Sequence, residues 1–153
     1  MGVSGSGKTT IAKLLSKQID KPFLDADDYH PKENIVKMRN GIPLTDQDRE
    51  PWLYILNQKL KEESRKKGVV LACSALKESY RKIIAEEINI VWVYLDGDFD
   101  VIKSRMENRK GHFMNKTLLQ SQFDCLEVPT YGIKVDVEQE PNKIVNDIIK
   151  NTI

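Results

Sequence analysis

Residues Gly2-Val3-Ser4-Gly5-Ser6-Gly7-Lys8-Thr9 satisfy the pattern G-x-x-x-x-G-K-[ST] in full, and each part of it has a chemical reason. Glycines let the backbone turn tightly and aim its N–H groups at phosphate oxygens. Lys8 neutralises charge on the β- and γ-phosphates of a nucleotide, and the Thr9 hydroxyl is a ligand for Mg²⁺. An amphipathic helix marked by Ile11, Leu14, Leu15 and Ile19 begins directly afterwards, so its positive end faces the same anion. Such a match arises by chance in roughly one of a few hundred chains of this length. A flexible Gly/Ser tail, the bland alternative, would not lead into a helix. The chemistry indicated is binding of ATP with Mg²⁺, the candidate contacts being Gly2 to Thr9 with Thr10, and Thr9 at the metal.

A second cluster, Asp25-Ala26-Asp27-Asp28-Tyr29-His30-Pro31, follows the short apolar pair Phe23-Leu24. Three carboxylates this close repel one another unless a cation or substrate hydroxyls share their site. Alternation along an extended segment puts Asp25 and Asp27 on one side and Asp28 on the other. The competing reading is an acidic turn that caps the helix after Pro31. No apolar run ending in Asp occurs at 69–74. Ser74 stands where many phosphate-loop proteins carry a metal-associated carboxylate, which shifts that role toward Asp25. Lys77 and Arg81 lie four apart on a predicted helix and share one face; Arg105 and Arg109 repeat the spacing ahead of Gly111.

The elements that must position these groups read as alternating strands and helices. Val69 to Cys73 and Ile90 to Leu95 are nearly continuous apolar runs, which suit strands covered on both faces of a parallel sheet. Phe23-Leu24 and Ile133 to Val135 are weaker strand candidates. Helical periodicity recurs at Leu53, Leu56 and Leu60, at Ile83 and Ile84, from Leu118 to Leu126, and from Ile144 to Ile149. The fold class expected is α/β in three layers, as one domain of 153 residues. Residues 31–67 are helical, long for one crossover, and predicted to fold over the carboxyl ends of the strands. Only Met1 precedes Gly2, so the central strand that a phosphate loop should follow is missing from this chain. Losing three or four large apolar side chains there would forfeit about 5–10 kcal/mol of burial, comparable to a domain's net stability. The expectation is that the native protein carries several more β-type residues upstream.

Hydrophobic residues make up 40% of the chain and charged residues 31%, with a formal charge of +1. Mixed acids and bases argue against a nucleic-acid or membrane-surface partner. No run approaches the ~18 apolar residues of a membrane helix, and no signal peptide is visible, which points to the cytoplasm. Cys73 and Cys125 read as reduced core thiols.

Beyond the phosphate loop, several motifs occur in one order: GVSGSGKTT, DADDYHP, KM-x-x-GIPL-x-DQDR-x-PWL (37–53), LACSALK-x-x-YR (71–81), GHFM (111–114) and LL-x-SQF-x-x-LE (118–127). Together they resemble the gluconokinase family over Gly2 to Glu127. The resemblance implies a nucleoside-monophosphate-kinase-like fold related to shikimate kinase, with five parallel strands and a lid at about 105–116. It also implies phosphoryl transfer from MgATP to D-gluconate, giving ADP and 6-phosphogluconate. In that scheme Asp27 orients the primary hydroxyl and accepts its proton, while Asp25 joins Thr9 around Mg²⁺. Lys8 and Arg109 stabilise the transferring charge and Arg105 contacts the nucleotide phosphates. Arg49, Lys77 and Arg81 suit the carboxylate of the substrate; Asp28, His30 and Asp46 suit its hydroxyls. His112 belongs with the lid. The family often forms dimers, so a homodimer stays open. Rival readings are a kinase for another polyol acid and a nucleotide-binding protein without catalysis, including a truncated regulatory form.

Overall fold

The computed structural model describes residues 1–109 and 116–152. Among these residues four short strands lie in two parallel pairs. β1 (Phe23–Asp25) pairs with β2 (Val70–Ala72), Phe23 opposite Val70; β3 (Val93–Asp96) pairs with β4 (Ile133–Asp136), Val93 opposite Ile133. The resemblance implied five strands; among the described residues no ladder joins the two pairs. Met1 and Gly2 stand between them instead. The Met1 amine donates to Val93 O at 2.6 Å, Leu95 N–H donates to Met1 O at 2.9 Å, and Gly2 N–H donates to Ser74 O at 3.2 Å.

The apolar run at 90–95 becomes a strand only from Val93. Upstream, the Trp92 carbonyl accepts from Ile133 N–H, but Val91 is 63% exposed. A parallel strand needs partners on both edges to stay extended, and among the described residues no backbone bond reaches the inner edge of this stretch, although Ile90 and Trp92 pack on the cluster of α3 and α4.

Among the described residues seven α-helices flank the strands: α1 (Lys8–Gln18), α2 (Lys32–Arg39), α3 (Asp46–Ser64), α4 (Glu78–Ile84), α5 (Phe99–Glu107), α6 (Lys116–Cys125) and α7 (Pro141–Thr152). The helical stretch expected at 31–67 is thus α2 and α3, broken at Gly41, whose φ of 71° suits a residue without Cβ. α3 begins on a capping box: Thr45 Oγ1 accepts from Asp48 N–H, and the Asp48 carboxylate accepts from Thr45 N–H, satisfying two otherwise orphaned donors. Val69, Leu71 and Cys73 pack with Trp52, Leu53, Leu56 and Ile84 of α3 and α4. Alternation turns Val70 and Ala72 the other way, toward α1. A second apolar cluster joins Ile11, Leu95, Ile102, Val135, Val145 and Ile148 from α1, α5, α7, β3 and β4. The interior is therefore two clusters, one for each strand pair.

Leu56 is 1% exposed, so Leu56→Ala is expected to cost about 2–5 kcal/mol in urea unfolding. Val36, 54% exposed, should tolerate Ala within about 0.5 kcal/mol.

Candidate active site

The loop before α1 owes its shape to glycine. Gly7 is the N-cap of α1 at φ 95°, and a Cβ there would meet nothing within 4 Å, only the open pocket. At Gly5 a Cβ would sit 2.7 Å from Met106 Cγ, so any larger residue would displace α5 or the loop. Lys8 curls back and donates to Val3 O at 2.9 Å. Across from it, Asp25 ends β1, with Oδ2 accepting from Thr9 Oγ1 at 3.2 Å and Oδ1 accepting from Asp27 N–H at 3.1 Å.

That second bond corrects the extended reading of the acidic stretch. Asp25 caps a 3-10 turn, Ala26–Tyr29, because its own carboxylate rewards a tight turn more than extension does. The turn carries Asp27 into a pocket of about 120 Å³ that also takes in Ser4, Gly5, Gly7, Lys8, Thr9, Thr10, Asp25 and Arg109. Gly2, Val3 and Ser6 fall outside that lining; Val3 and Ser6 are buried and serve the loop through their backbone. Burial lowers the Lys8 ammonium from its ordinary value while Asp27 and Asp25 oppose the shift. Protein crowding and then the Asp25 charge raise the Asp27 carboxyl, with Lys8 opposing.

α3 holds the acidic turn from behind. Trp52 Nε1 donates to Ala26 O at 2.8 Å, and the His30 ring stacks on Trp52 with centroids 4.1 Å apart. Asn34 Nδ2 donates to Asp48 O at 2.9 Å and stands 3.3 Å from His30 Nδ1, which therefore accepts. His30 thus carries its proton on Nε2, 3.9 Å from Asp27 Oδ1. Burial, then the charge of Arg49, lowers its pKa to about 4.

A third group stands at the starts of α3 and α4. Lys77 Nζ reaches both Asp46 oxygens at 3.0 and 3.2 Å, and Tyr80 OH donates to Asp46. Arg49 Nη1 donates to Leu44 O at 2.6 Å and to Tyr80 Oη at 3.3 Å. The hydrogen bond from Tyr80, then that from Lys77, holds the Asp46 carboxyl below its usual range. Asp28 is exposed beside Asp27.

Lys77 and Arg81 do not share a helix face. Lys77 is the extended N-cap of α4, at φ −103° and ψ 149°, which removes the i, i+4 relation. Arg81 is 2% exposed and donates to Ala75 O at 2.8 Å, Glu127 O at 2.9 Å and Tyr131 Oη at 2.9 Å. Burying a guanidinium demands such saturation, and it leaves Arg81 turned away from the pocket. Arg105 donates to Val137 O at 2.7 Å, whereas Arg109, past the end of α5, reaches the pocket. His112, Gly111 and the core of the expected lid lie outside the described residues.

Sequence reasoning assigned no site role to Tyr80, Asn34, Trp52 or Gln122, whose Oε1 accepts from Ser4 N–H at 2.7 Å. Tyr80 had a signal, three residues past Lys77 in one motif. Asn34 had none, because a polar residue on a polar helix reads as surface, yet it is 3% exposed.

The family model of shikimate kinase matches residues 4–151. The thermoresistant gluconokinase of Escherichia coli K12 is 44% identical over 98% of this chain and 89% of its own length. Among crystal structures, a sugar kinase from Janibacter superposes with TM-score 0.92 at 42% identity, covering 98% of this chain and 90% of that one. A gluconokinase from Sinorhizobium meliloti superposes with TM-score 0.89 at 41% identity, covering 98% and 87%.

The His30 shift has a consequence for stability. Between its folded value of about 4 and its ordinary 6.5, the unfolded chain binds a proton that the folded chain does not. Its stabilising contribution is complete above 6.5 and is lost as pH falls toward 4. Chemical unfolding across that window should show the stability of the parent protein falling toward that of His30→Gln.

Proposed function

Because this chain belongs to the shikimate kinase family and, within it, to the gluconokinases, we propose that it transfers the γ-phosphoryl group of ATP to the primary hydroxyl of D-gluconate. One observation carries the reading at the level of chemistry: Lys8, Thr9 and Arg109 share a pocket of about 120 Å³ with Asp25 and Asp27.

Phosphoryl transfer depends mainly on alignment and charge stabilisation. The loop amides and the start of α1 receive the β- and γ-phosphates, and Lys8 and Arg109 neutralise charge on the transferring group. Mg²⁺ fits the pair Thr9 Oγ1 and Asp25 Oδ2, hard oxygens 3.2 Å apart at the pocket. Among the described residues no cluster of three or more ionisable ligands could hold a metal alone, which agrees with an ion that keeps water and phosphate as most of its shell. Bound there, it would neutralise charge on the phosphate oxygens.

Asp27 takes the proton of the attacking hydroxyl. Its raised carboxyl brings it closer to the proton affinity this requires, and His30 Nε2–H stands behind it. Lys77 and Arg49 are the cations we assign to the gluconate carboxylate, Lys77 giving up Asp46 and Arg49 giving up Tyr80 to meet it; Asp28 and Asp46 accept from hydroxyls. Arg81 and Arg105 stay out of direct contact and hold the loops at 75–76, 127 and 137. No described helix is long and apolar enough to cross a membrane, and we place the reaction in the cytoplasm.

A coupled assay of ADP release should show turnover with gluconate and none with AMP or shikimate; turnover with a nucleotide acceptor alone would contradict the assignment. Asp27→Asn is expected to lower kcat by about 100-fold or more while MgATP binding by calorimetry stays near that of the parent. Lys77→Met should raise KM for gluconate more than it lowers kcat, the pattern of a binding contact.

A further inference from the structure

Helix α4 opens on a residue unfit to cap it. A cap needs a side-chain oxygen that accepts a backbone N–H of the first turn. Lys77 holds that position with a side chain that only donates, and it makes no side-chain cap bond. Its carbonyl takes the N–H groups of Tyr80 and Arg81 at 3.1 and 3.2 Å. Its ammonium turns the other way, to Asp46, and stands 5.6 Å from the centre of the Tyr80 ring. Serine or aspartate at 77 would have closed the helix end and left this corner of the site without its cation.

The capping oxygen comes from 49 residues away. Glu127, just past the end of α6, accepts from Glu78 N–H through Oε2 at 2.8 Å. Its own backbone N–H donates to Leu76 O at 2.8 Å. One residue thus holds the peptide groups on both sides of Lys77. Glu78 does not serve itself, because its carboxylate accepts from Arg81 Nε at 3.0 Å and from Tyr131 OH at 2.7 Å. The approach to Lys77 is strained: Ala75 is fully buried at φ 45°, a conformation that persists only where the surroundings over-determine it. Arg81 does so by donating to both Ala75 O and Glu127 O. The stretch that ends in Glu127 is also fastened to the phosphate loop, where Gln122 Oε1 accepts from Ser4 N–H at 2.7 Å.

We propose that Glu127 is a positioning residue for the acceptor site: by capping α4 in place of Lys77 it leaves the Lys77 ammonium free for the substrate carboxylate, and α6 ties that cation to the phosphate loop. This rests on the assignment of Lys77 to the gluconate carboxylate. Glu127 is exposed, so removing its carboxylate opens no cavity and the variants should fold.

Steady-state kinetics of Glu127→Ala, Glu127→Gln, Lys77→Met and the double variant Glu127→Ala with Lys77→Met provide the test. Glu127→Ala should raise KM for gluconate about five-fold, the worth of one helix cap, with kcat and KM for ATP within about two-fold of the parent. Glu127→Gln keeps an oxygen for Glu78 N–H and should stay within about two-fold on every constant. Added to Lys77→Met, Glu127→Ala should change KM for gluconate by less than about two-fold, because one contact is not lost twice. Equal losses in both backgrounds, or ATP weakened as much as gluconate, would mark a general prop and overturn the proposal. Gln behaving as Ala would overturn it as well. Amide exchange at Glu78 reads the cap without substrate: it should quicken in Glu127→Ala and keep the parental rate in Glu127→Gln, and no change in either overturns the cap. An unchanged KM for gluconate in Lys77→Met would remove the substrate contact itself, a failure that the exchange result tells apart from a failure of Glu127.

Discussion

Opposite charges held in one small pocket are the constraint around which the rest of the molecule is arranged. The charges of Lys8 and Asp27 each oppose the shift that burial imposes on the other, so displacing either changes the titration of both. Lys8 is fixed by the carbonyl of Val3 and by the helix that starts at its own residue. Asp25 is fixed by Thr9 and by the turn it caps. Asp27 is the member with a largely exposed carboxylate, 82% of its side chain being accessible. That freedom suits a group that must meet a hydroxyl brought from outside.

α3 bears most of the burden of keeping the acids in place. Trp52 ties down the turn at Ala26 and supplies the surface on which His30 stacks. Asp48, one turn earlier, caps the helix, binds Lys37 at 2.8 Å and accepts from Asn34 through its carbonyl. Asp46, at the start of the same helix, gathers Lys77 and Tyr80. One helix thus sets both the acceptor acids and the cations assigned to the far end of the substrate. A shift of α3 would move them together, as a closing half of an active site should.

The parts of this arrangement that were legible in the sequence are those decided locally. The phosphate loop depends on glycines and one lysine within eight positions, so its pattern carried its geometry, and the apolar runs at 69–73 and 133–135 became strands. Where the deciding partner is distant, the reading failed. The acidic stretch is a different case: read as extended with a capping turn as the alternative, it takes the turn because the adjacent Asp25 carboxylate accepts from Asp27 N–H, and Trp52, 26 residues on, fastens it from behind. Arg81 looked like half of an exposed basic face, yet its fate is set by Tyr131 and Glu127, 50 and 46 residues away. The run at 90–92 had the composition of a buried strand and lacks the neighbour that would make it one.

The central claim is that the loop amides and Lys8 hold the terminal phosphates of ATP while Asp27 holds the hydroxyl that receives one. A crystal of the ternary complex with a non-hydrolysable ATP analogue, Mg²⁺ and gluconate tests it directly. The account predicts the γ-phosphate on Lys8 and the amides of Gly5 to Thr9, with the primary hydroxyl of gluconate hydrogen-bonded to Asp27 and in line with the γ-phosphorus. Gluconate bound in the reverse sense, its carboxylate near Asp27 and its primary hydroxyl against Lys77, would contradict it.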